Sequence, residues 1–132
     1  MVGIVIVSHN YKLGAEIINF VNEMKFAKFE IINASGIDEN TFGSDPLKIK
    51  QAIQQAWTDE GVLIFADIGS SILNAQMAIE FLDEQFDKSK VIMADAPIVE
   101  GALVAVSLNV EQDNVMVKIL DELAKLKTLK KV

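Results

Sequence analysis

The stretch VGIVIVSHNYKLG, residues 2–14, decides which fold this chain can adopt. Residues 3–7 form an unbroken apolar run rich in β-branched side chains, which is typical of a strand covered on both faces in a parallel sheet. The run ends at Ser8-His9-Asn10, and a helical pattern follows. His9 is the only histidine in the chain. The stretch therefore predicts a buried strand that delivers one imidazole to a strand-to-helix turn.

Three more apolar runs, at 29–34, 61–66 and 90–94, share these properties, and helical patterns lie between them. This alternation predicts a doubly wound, flavodoxin-like α/β fold. We expect a parallel sheet of about four strands in the order 2-1-3-4, flanked by about five helices. The final quarter, 97–127, shows two helical patterns and no fifth strand.

The helical patterns predict which apolar residues face the core and where two helices begin. Asp45-Pro46 is typical of an N-cap followed by proline in the first helical position, and Ser70 or Ser71 is expected to cap the third helix. The side chains predicted to face the core are Leu13, Ile17, Phe20, Val21 and Met24 in the first helix, Ile49, Ala52, Ile53 and Ala56 in the second, and Leu73, Ala75, Ala78, Ile79 and Leu82 in the third.

Composition narrows the possible classes of protein. With 132 residues and 51% hydrophobic content, the chain predicts one domain over 1–132. A net charge of −7 opposes binding to nucleic acid, and the absence of cysteine removes disulfides and thiol chemistry. No apolar run approaches the roughly 20 residues of a membrane span, and no signal peptide is recognisable. We therefore expect a cytoplasmic protein without membrane contact.

In a sheet of this order, strands 1 and 3 are neighbours at the point where the winding reverses, and ligands bind beyond their carboxyl ends. His9 and Asp67 are expected to face each other there. A carboxylate on one ring nitrogen fixes the tautomer and raises the basicity of the other nitrogen. Backbone N–H groups of Gly69, Ser70 and Ser71 are candidates for holding phosphate oxygens at a helix start.

These residues allow several other interpretations. His9 and Asp67 can simply bond at a strand end and cap a helix. One histidine lacks the ligand count of a zinc site, and we predict no metal. The chain has no G-x-S-x-G elbow, no G-x-G-x-x-G and no Walker A segment. A receiver domain phosphorylated on Asp67 would need acidic residues where Ser8-His9-Asn10 stands.

Four segments in order, at 2–14, 36–53, 61–82 and 94–103, closely resemble the phosphotransferase (M) subunits of phosphoenolpyruvate-dependent dihydroxyacetone kinases. These subunits belong with the IIA domains of the mannose-type phosphotransferase system (PTS). The resemblance covers roughly residues 2–108. The stretch IGSSILNAQ, where mannose-type domains tend to have Gly-Gly-Ser-Pro, favours the kinase subunit. Asn10 departs from the serine that relatives often carry.

The resemblance implies a phosphohistidine carrier. His9, oriented by Asp67, would accept a phosphoryl group from the carrier protein HPr and pass it to ADP held by the L subunit of dihydroxyacetone kinase. No cofactor would be bound to this chain, and because it ends at residue 132 we expect it to use a separate HPr. The alternatives are a IIA domain serving a mannose-type sugar permease and, less favoured, a non-catalytic small-ligand binding domain.

Two expectations concern surfaces. Met93, Pro97, Ile98 and the loop at 36–44 are candidates for the rim around His9, although core and loop packing would explain them too. The family resemblance and the high apolar content also predict a homodimer that leaves both His9 crevices open. The final helices are expected to form its interface, because their apolar residues exceed what one buried stripe requires: Val115, Val117, Ile119, Leu120, Leu123 and Leu126.

Overall fold

The computed structural model describes residues 1–132 and contains four strands and five α-helices. The strands are β1 (Gly3–Val7), β2 (Ile31–Asn33), β3 (Val62–Ala66) and β4 (Val91–Met93). The helices are α1 (Tyr11–Asn22), α2 (Pro46–Ala56), α3 (Ser70–Glu80), α4 (Ile98–Leu108) and α5 (Val115–Ala124), with short 3-10 helices at Lys88–Lys90 and Lys125–Thr128. All strand pairs are parallel and the order is β2-β1-β3-β4, so the predicted fold class is confirmed.

The two central strands divide the core into two layers because successive side chains point to opposite faces. Ile4 and Ile6 of β1 pack with α1, α4 and α5 on one face, whereas Val5 and Val7 pack with α2 and α3 on the other. Every residue of β1 and β3 is buried. This explains why these two strands have no polar alternation in the sequence.

The edge strands are shorter than their apolar runs predicted. β2 pairs only with β1, and β4 only with β3, so each has ladder contacts on one side. β2 extends over three residues rather than 29–34, and β4 over three rather than 90–94. The apolar residues beyond these short ladders fill the core from loops; Phe29 is one of them.

The predicted helix faces are correct for α2 and partly wrong for α1 and α3. Ile17 and Val21 of α1 are buried, and so are Ala75, Ala78 and Leu82 in and after α3. The predicted core positions that are instead exposed are Leu13, Phe20, Met24 and Leu73. In both helices small residues, Gly14 in α1 and Ser71 in α3, lie on the buried side and let the backbone approach the sheet. The buried faces are therefore narrower than the apolar patterns.

Helix starts agree with the sequence at one position and differ at another. The Asp45 side chain accepts from the Leu47 N–H at 2.9 Å, and Pro46 opens α2, as predicted. The prediction of a serine cap on α3 is wrong, because Gly69 occupies the N-cap position and no side chain caps this helix.

Most of the apolar residues of the final helices are buried in the core or pack against it. Val115, Ile119 and Leu123 belong to the core, and Leu120 and Leu126 pack against it. Only Val117 of the six is exposed. The sequence argument that placed a dimer interface on these residues is therefore wrong. None of the helices has the length and apolar character needed to cross a membrane.

Candidate active site at the carboxyl ends of β1 and β3

The parallel pairing of β1 and β3 brings His9 and Asp67 together. Val7 is in register with Ala66, and the Asp67 N–H donates to the Val7 carbonyl at 3.1 Å. In return, the His9 N–H donates to Asp67 Oδ2 at 3.0 Å. The sequence predicted that these two residues face each other at the ends of β1 and β3, and the structure confirms it. Hydrogen bonds from the backbone N–H groups of both residues hold them in this position.

The His9 ring is held at both nitrogens. Nδ1 lies 2.9 Å from Asp67 Oδ1, and Nε2 lies 2.8 Å from Ser70 Oγ. Because an ionised carboxylate can only accept, Nδ1 carries the proton and Nε2 has the lone pair, which accepts from the Ser70 hydroxyl. The His9 side chain is 17% exposed. The arrangement therefore presents a basic nitrogen near the surface in a fixed direction.

The Asp67 carboxylate is held in its charged form by several donors. Besides His9, the Ile68 N–H donates to Oδ1 at 2.7 Å, and the hydroxyl of buried Ser71, which lies 3.1 Å from His9 Nδ1, also donates to the carboxylate. Partial burial raises the pKa of Asp67, but hydrogen bonds from the His9 N–H, the Ser71 hydroxyl and the Ile68 N–H outweigh it. The net pKa lies below its ordinary value, so the carboxylate is a dependable acceptor for Nδ1–H.

The loop between β2 and α2 holds the backbone of Ser8 and His9 in place through hydrogen bonds. Ser35 Oγ accepts from the Ser8 N–H at 2.8 Å, and the Gly36 N–H donates to the Ser8 carbonyl at 2.9 Å. The Gly43 N–H donates to the His9 carbonyl at 2.8 Å. Phe42 lies against the imidazole with ring centroids 5.2 Å apart. The expectation that the loop at 36–44 borders His9 is confirmed.

Gly69 shapes the start of α3 beside the imidazole. Its φ of +53° and ψ of −116° suit glycine, and an added Cβ would meet nothing within 4 Å, so backbone conformation rather than space requires the glycine here. The Ser71 N–H already donates to the Ile68 carbonyl at 3.1 Å. No hydrogen bond within the chain uses the N–H groups of Gly69 or Ser70. Two free donors therefore lie at the positive end of a helix near His9.

Sequence reasoning found the His9–Asp67 pair and missed the side-chain roles of the serines. Ser70 and Ser71 were expected to act through their backbone or as caps, yet both hydroxyls lie within hydrogen-bond distance of the ring of His9. Contact between Phe42 and His9 was also missed, since loop geometry is not encoded in periodicity. The only available signal was the serine pair directly after Gly69.

A cleft of about 500 Å³ opens on the other side of Asp67, between the ends of β3 and β4. Met93 and Pro97, two of the predicted rim residues, line it. Ile98 instead packs against the core as a partly buried side chain. No group of three or more His, Cys, Asp or Glu side chains is placed to hold a metal ion. The site thus combines an imidazole whose Nε2 faces a serine hydroxyl with two unused backbone N–H groups at the start of α3.

Comparison with known proteins gives a consistent set of relatives. The family model EIIA-man, described as PTS system fructose IIA component, matches residues 3–120. A Listeria innocua protein, PEP-dependent dihydroxyacetone kinase 2, phosphoryl donor subunit DhaM, is 39% identical over 106 residues, which cover 80% of this chain and 83% of that one.

The corresponding phosphoryl donor subunit DhaM of Escherichia coli is 37% identical over 108 residues, 80% of this chain. The alignment spans only 23% of the Escherichia coli protein. Among solved structures, the crystal structure of EF1359, a protein of unknown function, superposes with a TM-score of 0.79 at 32% identity and covers 92% of each chain.

Proposed function

The chain belongs to the EIIA-man family of PTS IIA components, and from this premise we propose that it is a phosphohistidine carrier of a PEP-dependent dihydroxyacetone kinase. His9 Nε2 takes up the phosphoryl group and later gives it away. The names of the relatives support a phosphotransfer role. The single observation that carries the assignment to His9 is the 2.9 Å contact of its Nδ1 with Asp67, which leaves Nε2 free to react.

Phosphoryl transfer depends mainly on an aligned nucleophile and on stabilisation of the developing charge. As the Nε2–P bond forms, the N–P bond of the donor phosphohistidine breaks, and the donor imidazole leaves. Asp67 keeps the proton on Nδ1 and stabilises the positive charge that develops on the ring. The Ser70 hydroxyl must turn away from Nε2 when the phosphorus approaches.

The phosphoryl oxygens are held, in this proposal, at the start of α3. The unused N–H groups of Gly69 and Ser70 are the backbone donors, and the Ser70 hydroxyl becomes a third donor after it leaves Nε2. The Ser71 N–H is already committed to the Ile68 carbonyl, so Ser71 acts through its hydroxyl on the His9–Asp67 pair. This refines the expectation that all three backbone groups bind phosphate.

The partners in the proposed reaction are two other proteins. Phosphorylated HPr supplies the group, and ADP bound to the L subunit of the kinase receives it, so the nucleotide belongs to that partner and this chain needs no cofactor of its own. The support is that the relatives are named as phosphoryl donor subunits of dihydroxyacetone kinase. We further propose that residues 1–132 act as one IIA domain.

The experiment that tests the proposal is labelling with phosphoenolpyruvate, enzyme I and HPr, followed by addition of the L subunit with ADP. We expect acid-labile, base-stable label on the wild-type chain and none on His9→Ala, whose circular dichroism and melting should match the wild type. Label retained by the variant would contradict the assignment. Label that forms but passes to a permease component and never to ADP would favour the alternative, a IIA domain of a mannose-type sugar permease.

A further inference from the structure

The outer surface of α3 carries three large apolar side chains in a row, Leu73, Met77 and Phe81, which we call the α3 stripe. They are spaced four residues apart, so they lie above one another along one line of the helix. Their exposed fractions are 64%, 44% and 49%. The buried side of the same helix is supplied by Ser71, Ala75 and Ala78. Packing within the chain therefore does not account for the stripe.

The stripe begins at the candidate active site. Ser70, whose hydroxyl lies 2.8 Å from His9 Nε2, precedes Leu73 by one helical turn. From Ser70 the helix carries the stripe about 16 Å along the surface to Phe81, at 1.5 Å per residue. A protein that places an atom on Nε2 therefore comes within about one helical turn of Leu73, where the stripe begins.

The charge around the stripe indicates what kind of surface would cover it. Residues 68–79 contain no Asp, Glu, Lys or Arg, and the first charged residue beside the stripe is Glu80, which is paired with Lys88 at 3.8 Å. Acidic residues follow at the far end: Asp83 is paired with Lys50 at 3.0 Å, whereas Glu84 forms no ion pair within the chain. The whole chain has a net charge of −7. An apolar patch bordered by basic residues is the complementary surface.

Resting on the proposed function, we propose that the α3 stripe is the docking surface for the phosphoryl donor protein, which presents an apolar patch bordered by Lys or Arg. The donor nitrogen has to come within bonding distance of Nε2, so its surface must cover the first turn of α3. A second copy of this chain on the stripe would instead bring together two chains that each carry a net charge of −7. The relay geometry and the charge thus favour the donor over a second copy.

The test separates docking from chemistry by using two phosphoryl donors. Phosphorylated HPr has to dock, whereas phosphoramidate is a small molecule that reaches His9 without a docking surface. For Leu73→Asp we expect the KM for phosphorylated HPr to rise at least tenfold, with kcat within about twofold of wild type. Phosphoramidate labelling should be unchanged, and Leu73→Met should behave like the wild type.

Val117→Asp is the matched control, since Val117 is an exposed apolar residue on α5, outside the stripe. It should leave both labelling reactions unchanged. Added salt should raise the wild-type KM for phosphorylated HPr, because the expected partner is basic.

Three results would overturn the proposal. One is an unchanged KM in both Leu73→Asp and Met77→Asp; another is an equal loss in Val117→Asp. The third is a wild-type dimer that Leu73→Asp dissociates, which would assign the stripe to a second copy. If neither donor labels wild-type His9, the proposed function itself fails and the inference falls with it, so the two failures are distinguishable.

Discussion

At the scale of single residues, the site depends on how the hydrogen bonds of His9 are divided between its two nitrogens. Nδ1 faces a carboxylate whose pKa is lowered, and Nε2 faces only the hydroxyl of Ser70. A charged acceptor holds its partner more firmly than a neutral hydroxyl does. The contact of Nδ1 with Asp67 therefore fixes the ring, whereas the hydrogen bond between Nε2 and Ser70 can be replaced by a bond to an incoming group. A residue that accepts a transferred group requires both properties.

Asp67→Asn tests the orienting role of the carboxylate. The amide oxygen can still accept from Nδ1–H, but the amide can also turn its NH₂ toward the ring, and the negative charge is lost. We expect phosphorylation of His9 by phosphorylated HPr to slow by a factor on the order of 10²–10⁴, the range for positioned proton-handling groups. Rapid-quench labelling measures this rate, and a rate equal to wild type would leave Asp67 only a structural role.

The lowered pKa of Asp67 also predicts a pH dependence of stability. A carboxyl whose pKa is lower in the folded chain adds stability that is full above its unfolded value, near 3.8, and is lost as the pH falls through the lower folded value. We therefore expect wild type to be more stable than Asp67→Asn at pH 7. The difference should shrink below about pH 3.8.

Urea unfolding of both proteins at several pH values measures this difference and removes the contributions of other carboxyls that they share. Asp38, Asp83, Asp87 and Glu100 also have lowered pKa values but are unchanged between the two proteins. A stability difference that stays constant from pH 7 to pH 3 would show that the charge of Asp67 does not contribute.

At the scale of elements, α1 packs closely at Gly14 against the segment after β2. The same segment forms hydrogen bonds with the backbone beside His9. A Cβ on Gly14 would lie 2.2 Å from Ser35 Oγ and 2.4 Å from Asn33 Oδ1. Ser35 Oγ is the acceptor for the Ser8 N–H. Close packing at Gly14 is thus transmitted to the residue before the imidazole.

Gly14→Ala should therefore destabilise the chain although alanine favours helix. Overpacking costs typically 1–3 kcal/mol, against about 1 kcal/mol gained in helix propensity, so we expect a net loss of up to about 2 kcal/mol. Chemical denaturation measures it, with exposed Asn19→Ala on the same helix as the control. A variant as stable as wild type would mean that the loop at Ser35 moves to accept the added methyl group without loss of stability.

The sequence predicted those elements whose character is set by burial on both faces. β1 and β3 read as continuous apolar runs because helices cover both sides, and their ends located His9 and Asp67 correctly. It failed where apolar residues are exposed: Leu13, Phe20 and Leu73 follow the helical period but lie in solvent. Periodicity counts apolar residues without distinguishing a core from an uncovered surface.

The serines of α3 show a second limit of sequence reasoning. Ser70 and Ser71 fit the preference for hydroxyl caps at helix starts, but their hydroxyls lie near the imidazole ring instead. Whether these hydroxyls cap the helix or contact the ring depends on His9, about sixty positions earlier in the chain. The order of the strands in the sheet brings His9 close to them. The preference of serine for helix capping therefore competes with contact to His9, and the contact with His9 is the one that forms.

At the scale of the whole molecule, two groups of exposed apolar residues belong to helices that pack on opposite faces of the sheet. The α3 stripe starts one helical turn from Ser70, whereas Phe20, Met24 and Phe26 lie at and beyond the end of α1. Because α1 begins two residues after His9 and runs about 18 Å away from it, the second group is remote from the site. The two groups can be covered at the same time by different surfaces.

Because the apolar residues of the final helices pack inside the chain, we expect the predicted homodimer to form at this second group instead. A second copy there buries Phe20 and Phe26, of which Phe26 is 66% exposed, and leaves both His9 side chains accessible. Sedimentation at micromolar concentration should give twice the 14.5 kDa of one chain, and Phe20→Asp with Phe26→Asp should give a single chain. Wild type sedimenting as 14.5 kDa would refute the dimer. A dimer that resists phosphoramidate labelling would refute the open His9, because a small donor reaches Nε2 unless the interface itself covers it.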